Sequence, residues 1–185
     1  MRLTGPLPVL FASLLLAPSA AWCDQNDPRL DGLFVTLQTS ADEAELIETE
    51  ASIWDIWFAS GNPQVDSKMA AAGDLMENGN LPAAEKIYTE VIELLPGFSE
   101  GWNRRATVRF YLRDLDGSLA DIEETLRLEP RHFGAMWGLG MILGSRRDYD
   151  RAILAFERLL EIKPNSLDAR PRIELLKRQM AGESV

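Results

Sequence analysis

Three prolines set a period of 34 residues along this chain. Pro96, Pro130 and Pro164 are evenly spaced, and each follows an apolar residue two positions earlier. Proline has no backbone N–H and cannot continue a helix, so each one ends a helix at the same point of a repeating unit. A constant period of this length is typical of a repeat architecture. We therefore expect stacked units that each contact only their neighbours.

Other positions of the same frame predict what each unit contains. A small residue recurs where two helices must approach closely, and larger apolar residues follow it at helical spacing. The recurring sets are Ala84, Ser118 and Ala152; Tyr88, Ile122 and Phe156; and Ile92, Leu126 and Leu160. Each unit is thus predicted to be helix, turn, helix, and the fold class is all-α.

On these positions the units resemble tetratricopeptide repeats. The third unit is the best match, through Leu139, Gly140, Tyr149, Ala152, Phe156 and Pro164. The resemblance covers residues 65–166, divided into repeats 65–98, 99–132 and 133–166. It implies an α-solenoid of stacked helical hairpins that binds a protein or peptide and has no enzymatic activity.

In this family the first helix of each repeat lines the concave face, where partners bind. The resemblance places these candidates there: Met69, Met76, Asn103, Arg104, Thr107, Phe110, Trp137 and Met141. Methionine and aromatic side chains suit an apolar ligand segment, because they can repack around different shapes. Arg104 could pair with an acidic group of the ligand. The alternative is that some of these side chains only pack between repeats.

The family's carboxylate clamp, which grips chaperone C-termini, is not expected in this chain. That clamp needs Lys, Asn and Arg at five positions, held here by Met69, Gly73, Arg104, Gly134 and Gly138. Chaperone-tail binding is therefore not carried over from the resemblance.

Arg105 stands at a position that is usually apolar and buried. Family members with Arg there carry Asp in the second helix of the same repeat, which in this chain is Asp121. The resemblance implies a structural ion pair between Arg105 and Asp121, because a buried charge without a partner would be costly. The alternative is that Arg105 faces a ligand.

No residues of the sequence form a recognisable catalytic or metal-binding set. His132 is the only histidine and lies in the loop between the second and third repeats, where we expect it to be exposed to solvent. One histidine cannot form a zinc site alone, and the sequence contains no phosphate-binding loop and no nucleophile elbow. We expect no catalytic residues, no metal and no cofactor. An enzyme that uses an acidic site is the less favoured alternative.

Residues 1–23 have the pattern of a secretory signal peptide. Arg2 is their only charged residue, an apolar stretch follows it, and small residues precede Trp22. We expect export to the periplasm, with no membrane insertion once the signal is removed. Cys23, the only cysteine, could instead carry a lipid at the inner membrane, but lipoprotein signals need a small residue where Trp22 stands.

The repeats are flanked by two further helical segments. Residues 24–64 are predicted to form an atypical helical hairpin whose second helix is capped by Ser40, and residues 167–185 form a capping helix and tail. Trp54 and Trp57 of the hairpin are expected to pack against the first repeat, or alternatively to form an exposed partner site.

The formal net charge of −10 argues against non-specific nucleic-acid binding, which needs basic residues to displace counterions. The function predicted from these observations is a periplasmic scaffold or adaptor that binds a protein or peptide in the concave groove. The alternative is a structural subunit of an envelope assembly that uses the hairpin or the convex face.

Overall fold

The computed structural model describes residues 24–182, so the predicted signal segment 1–23 lies outside it. The described chain consists of helices and connecting loops, and the all-α prediction is confirmed. The helices are α1 (Arg29–Thr39), α2 (Glu43–Phe58), α3 (Pro63–Glu77), α4 (Leu81–Leu94), α5 (Ser99–Tyr111), α6 (Leu115–Leu128), α7 (Phe133–Ser145), α8 (Tyr149–Ile162) and α9 (Ala169–Met180). Between residues 24 and 182 no helix is both long enough and apolar enough to cross a membrane.

Six of the helices form three hairpins, α3–α4, α5–α6 and α7–α8, that stack in chain order. Helix α4 packs on α5, α6 packs on α7, and α8 packs on α9. The three prolines of the 34-residue period each follow the second helix of a hairpin. The first helices α5 and α7 also contact each other directly, which creates a continuous surface between the second and third hairpins.

The turn inside each hairpin has the same backbone conformation. Gly79, Arg113 and Arg147 occupy the same position of the period, and all three have positive φ angles, of 77°, 67° and 60°. In each case the next residue donates its N–H to a carbonyl five residues earlier, as in a Schellman motif. Only the first turn has the glycine that this conformation favours, so the other two carry the strain of an L-residue.

The close approach of α7 and α8 depends on a glycine. A Cβ atom placed on Gly140 would lie 2.5 Å from the Phe156 ring, well inside van der Waals contact. The absence of a side chain at Gly140 therefore lets the fully buried Phe156 ring fill the space between the two helices. This contact explains why the third repeat combines a glycine in its first helix with a large aromatic in its second.

Trp54 and Trp57 of the N-terminal hairpin α1–α2 pack at the start of the third repeat and not in the core of the first, so the prediction for these two residues is wrong. Trp57 stacks on the His132 ring at 4.2 Å, and both tryptophans contact Phe133 at the start of α7. Helix α1 contacts α8, and α2 contacts α5. The hairpin therefore lies along the loops that join the repeats and shares one hydrophobic core with α7, α8 and α9.

The second helix of this hairpin also begins differently from the prediction. Asp42, rather than Ser40, is the N-cap residue, and its carboxylate accepts hydrogen bonds from the N–H groups of Ala44 and Glu45. The Ser40 hydroxyl instead donates to the Glu45 side chain. Aspartate is as good a cap as serine and also complements the positive end of the helix dipole.

Candidate binding groove between the second and third repeats

A cavity of about 270 Å³ opens between α5 and α7, with α6 as its floor. We call this cavity the groove. Its walls are mainly apolar, and the side chains of Phe110, Trp137 and Met141 are partly exposed within it. The volume is slightly below the range of about 300–1,000 Å³ that is usual for small-molecule sites. The groove is thus large enough for a few anchoring side chains of a ligand segment.

Five of the predicted site residues line this cavity together: Asn103, Thr107, Phe110, Trp137 and Met141. They come from two helices that the 34-residue frame places side by side, and each projects from the first helix of its repeat. Tyr111, which is 58% exposed next to Phe110, also lines the groove and is not among the predicted site residues. Its position directly after Phe110 was the signal that could have identified it.

The other three candidates are placed elsewhere. Met69 is 7% exposed and belongs to the core of the first repeat, and Met76 packs against the same core. Arg104 does not line the cavity, because its Nε donates to Glu100 at 2.6 Å and its guanidinium lies 4.3 Å from the centre of the Phe58 ring. The charge that was expected to meet an acidic ligand is therefore already paired within the chain.

The N-terminal hairpin closes one end of the groove. A Cβ atom on Gly134, which lines the cavity, would lie 2.8 Å from the Trp54 ring, so the indole packs directly against the backbone of α7. On the adjacent helix α5, the Phe58 ring of the same hairpin covers the Arg104 guanidinium. The groove is therefore bounded by the chain's own aromatic side chains at the N-terminal ends of α5 and α7, and it is open further along these helices.

Glu100 is the centre of a buried polar cluster beside this closed end. Its side chain is fully buried in the first turn of α5. The carboxylate accepts hydrogen bonds from His132 Nε2 at 3.0 Å, from Asn103 Nδ2 at 3.0 Å and from Arg104 Nε at 2.6 Å. Asn103 also lines the groove, so the cluster fixes one groove side chain in place.

His132 is fully buried, so the expectation that it would be exposed in a loop is wrong. It is the N-cap of α7: the Ala135 N–H donates to its Nδ1 at 3.1 Å, which places the ring proton on Nε2, facing Glu100. The His132 ring also stacks on the Trp57 ring, with 9° between the two ring planes. One side chain therefore joins the second repeat, the third repeat and the N-terminal hairpin.

The ionised form of Glu100 is the one that the cluster stabilises. Burial is the largest influence and raises the pKa of this carboxyl. The hydrogen bond from His132 and the charge and hydrogen bond of Arg104 outweigh burial and hold the pKa of Glu100 below its ordinary value of 4.5. The cluster is thus an anion with matched donors, which is how a buried carboxylate is tolerated.

Comparison with known proteins places the chain among repeat proteins. Residues 103–166 match the model of the tetratricopeptide repeat (TPR) family. A TPR repeat-containing protein of Rhizobium etli is 35% identical over 154 residues, which cover 83% of this chain and 76% of that protein. The chain belongs to the TPR family. The chloroplastic TPR domain-containing protein PYG7 of Arabidopsis thaliana is 31% identical over 125 residues, but this chain spans only 42% of its length.

Solved TPR structures show the same solenoid fold. The first TPR domain of Spaghetti (RPAP3), bound to the HSP90 peptide SRMEEVD, superposes with a TM-score of 0.61 at 19% identity, covering 63% of this chain and 93% of that domain. MamA superposes with a TM-score of 0.60 at 18% identity and covers 83% of this chain and 81% of its own. The predicted TPR-type solenoid is therefore confirmed.

Arg105 and Asp121 form a bidentate ion pair inside the second TPR. Arg105 Nε and Nη2 donate to the two carboxylate oxygens of Asp121 at 2.9 and 2.8 Å. Arg105 also donates to the Thr89 hydroxyl, and Arg109 donates to Asp121 and to Glu85. Arg105 is 9% exposed, and its donors face helices α4 and α6 rather than a ligand site. The network holds three helices of adjacent TPRs in register.

The described part of this TPR protein contains no group of three or more His, Cys, Asp or Glu side chains arranged to hold a metal ion. TPR domains are generally interaction modules without enzymatic activity. The lining of the groove offers apolar burial with a few polar contacts.

Proposed function

We propose that this protein is an exported adaptor that binds an apolar segment of a partner protein in the groove between its second and third TPRs. The observation that supports this proposal is the shared lining of one open cavity by Phe110, Trp137 and Met141. Partly exposed aromatic and methionine side chains around a cavity are the usual anchor sites of protein interfaces.

The polar groups of the groove favour an apolar ligand over a charged one. The Thr107 hydroxyl donates to the Asn103 carbonyl, and the Ser118 hydroxyl donates to the Ala106 carbonyl. The donor protons of these two hydroxyls are therefore used by the chain's own backbone. A ligand segment would gain most of its affinity by burying apolar side chains, with shape setting its register.

A chaperone tail is not the proposed ligand. The RPAP3 domain, which binds an HSP90 peptide, has the same fold at only 19% identity. In this chain the positions of the family's carboxylate clamp carry Met69, Gly73, Gly134 and Gly138, and Arg104 is paired with Glu100. A free carboxylate would find no unpaired cation at these positions of the groove.

Affinity capture with matched variants tests the proposal. Wild-type protein and a Phe110→Ala, Trp137→Ala double variant are used to capture partners from cell-envelope extract, and bound proteins are quantified by mass spectrometry. The control carries Val35→Ala and Leu154→Ala, which remove apolar groups that are 59% and 56% exposed outside the groove. We expect a partner that the control retains and the groove variant loses. Equal capture by both variants would contradict groove binding.

Export is a separate part of the proposal and has its own test. The supporting observation is the apolar stretch after Arg2, followed by small residues before Trp22. Mass spectrometry of the protein isolated from a periplasmic fraction should show a mature N-terminus close to Asp24. A protein that keeps Met1 and stays in the cytoplasmic fraction would refute export, and an N-terminal lipid on Cys23 would show an anchored form.

The N-terminal hairpin gives the alternative function, that of a structural subunit. Both of its tryptophans pack against α7, which leaves Trp57 fully buried and Trp54 only partly exposed. Its outer surface carries the exposed side chain of Ile47.

A further inference from the structure

A second apolar cleft lies between the N-terminal hairpin and the loop from α8 to α9. Its volume is about 490 Å³, and none of its lining residues lines the groove. We call it the hairpin cleft. Ile47 and Leu167 line it with 63% and 87% exposure, values far above those of the core side chains. Two large aliphatic side chains held open to solvent in one concave site indicate a surface that becomes covered.

Side chains of α2 reach the hairpin cleft at intervals of three and four residues. Glu43, Leu46, Ile47 and Glu50 all line it, so one face of the helix presents two aliphatic residues between two acidic ones. Asp168 faces them from the loop before α9. This arrangement places apolar surface in the middle and carboxylates at the rim.

The charge of the cleft is negative and is set by side chains rather than by helix dipoles. The C-terminal ends of α1 and α8 meet the N-terminal ends of α2 and α9 there, so the partial charges of the four ends cancel in pairs. Lys163 is the only basic residue that lines the cleft, and it is already paired with Glu50. Glu43 and Asp168 are the two carboxylates that remain to attract a cation.

The rest of α2 strengthens this field. The helix has five acidic residues among its 16 and no basic one. Its exposed members Glu45 and Glu48 lie close in sequence to the cleft residues. Attraction from such a surface reaches about 8–10 Å at physiological ionic strength and increases the rate at which cationic segments associate.

We propose that the hairpin cleft docks a cationic amphipathic segment of a partner protein. One or two aliphatic side chains of that segment lie between Ile47 and Leu167, and flanking Lys or Arg side chains contact Glu43 and Asp168. This site is independent of the proposed groove function, because the two sites share no residues and prefer ligands of different charge. An adaptor with both sites can hold two partners at once.

Binding of two designed peptides tests the proposal. The probe is a short amphipathic peptide of leucine and lysine labelled with a fluorophore, and its counterpart has glutamate in place of lysine. Fluorescence anisotropy should show binding of the lysine peptide to the full chain, weakening as salt rises, and no binding of the glutamate peptide. Amide shifts in two-dimensional NMR spectra should be confined to residues 41–50 and 163–169.

Matched variants separate cleft binding from non-specific attraction to an acidic protein. The apolar pair Ile47→Ser, Leu167→Ser is compared with Val35→Ser, Leu154→Ser, four exposed positions that should leave folding intact. The charge pair Glu43→Gln, Asp168→Asn is compared with Glu157→Gln, Asp150→Asn, which lie outside the cleft. We expect the apolar cleft pair to weaken lysine-peptide binding roughly tenfold or more, since burying one aliphatic side chain typically contributes that much.

Three outcomes would overturn the proposal. Cleft and control variants that bind the lysine peptide equally would show that the acidic surface as a whole, and not the cleft, attracts it. Equal binding of the glutamate peptide would exclude charge complementarity. Self-association of the chain that the Ile47→Ser, Leu167→Ser variant abolishes would show that a second copy, rather than a cationic partner, covers the cleft.

Discussion

Replacing His132 by alanine removes three interactions from the junction of the hairpin with the second and third TPRs. The ring donates to the buried Glu100 carboxylate at 3.0 Å, caps α7 through the Ala135 N–H at 3.1 Å, and stacks on Trp57 at 4.2 Å. Glu100 and His132 are both fully buried, so no bulk water lies beside the carboxylate to supply another donor. The substitution therefore leaves a buried anion with one donor fewer.

The expected loss of stability follows from these three contacts. A hydrogen bond to a buried charge contributes about 1.5–3 kcal/mol, and losing one leaves a desolvated group unsatisfied. The cap contributes about 1 kcal/mol, and the aromatic pair adds about 0.5–1.5 kcal/mol. We expect His132→Ala to lower the free energy of unfolding by about 3–5 kcal/mol, a large share of the 5–15 kcal/mol that is typical of a domain.

Urea unfolding followed by tryptophan fluorescence measures this loss, and a double-mutant cycle assigns its cause. His132→Asn is the control, because asparagine caps a helix well but is too short to replace the imidazole contact with Glu100. The cycle combines His132→Ala with Glu100→Gln, and we expect a coupling energy of about 1.5–3 kcal/mol. A coupling below about 0.5 kcal/mol would refute the assignment of the polar cluster as the link between the repeats and the hairpin.

Further predictions concern acid stability, the turns, the ion network and the helix contact. The pKa of Glu100 is lower in the folded chain than its ordinary value of 4.5. The contribution of this carboxylate to stability is therefore present above pH 4.5 and is lost as the pH falls through the folded-state pKa. Glu100→Gln should flatten the acid limb of a plot of unfolding free energy against pH. Arg113→Gly should raise the free energy of unfolding by about 0.5–1 kcal/mol because it relieves a positive φ angle, while Gly79→Ala in the corresponding turn should lower it. Chemical denaturation measures both changes, and equal effects of the two would contradict the turn assignment. Asp121→Ala should lower the free energy of unfolding by about 3–5 kcal/mol, because it leaves the buried Arg105 and the half-buried Arg109 without their shared carboxylate. A loss under about 1 kcal/mol in the same assay would show that the network is dispensable. Gly140→Ala should lower the melting temperature by several degrees, since its Cβ would overlap a buried aromatic ring, and an unchanged melting temperature would show that α8 shifts freely.

The repeat itself could be predicted from sequence because its cause is local and periodic. Proline position, small residues and helical spacing recur every 34 residues, and each has one structural consequence. The family resemblance, applied in this frame, also predicts five residues of two different helices that line one groove in the structure. The resemblance predicts Met69 and Met76 in the groove too, but both pack in the core of the first repeat, which the periodic pattern does not reveal.

The packing of the N-terminal hairpin could not be predicted in this way. It has no positions in common with the repeats, so its place depends on contacts between residues far apart in sequence, such as Trp57 and His132. A partial signal for the burial of His132 was present. The same position of the preceding repeat is Phe98, which is fully buried, and a large apolar residue there indicates that this loop position faces inward.

Occupation of the groove in the living cell is the central claim, and site-specific photocrosslinking tests it most directly. Thr107, which lines the groove, is replaced by a photoreactive phenylalanine analogue, and the same analogue at Leu154, which is exposed outside it, is the control. We predict a discrete partner adduct from position 107 that the Phe110→Ala, Trp137→Ala background abolishes. Adducts of equal yield from position 154, or none from position 107 in fully folded protein, would contradict the account.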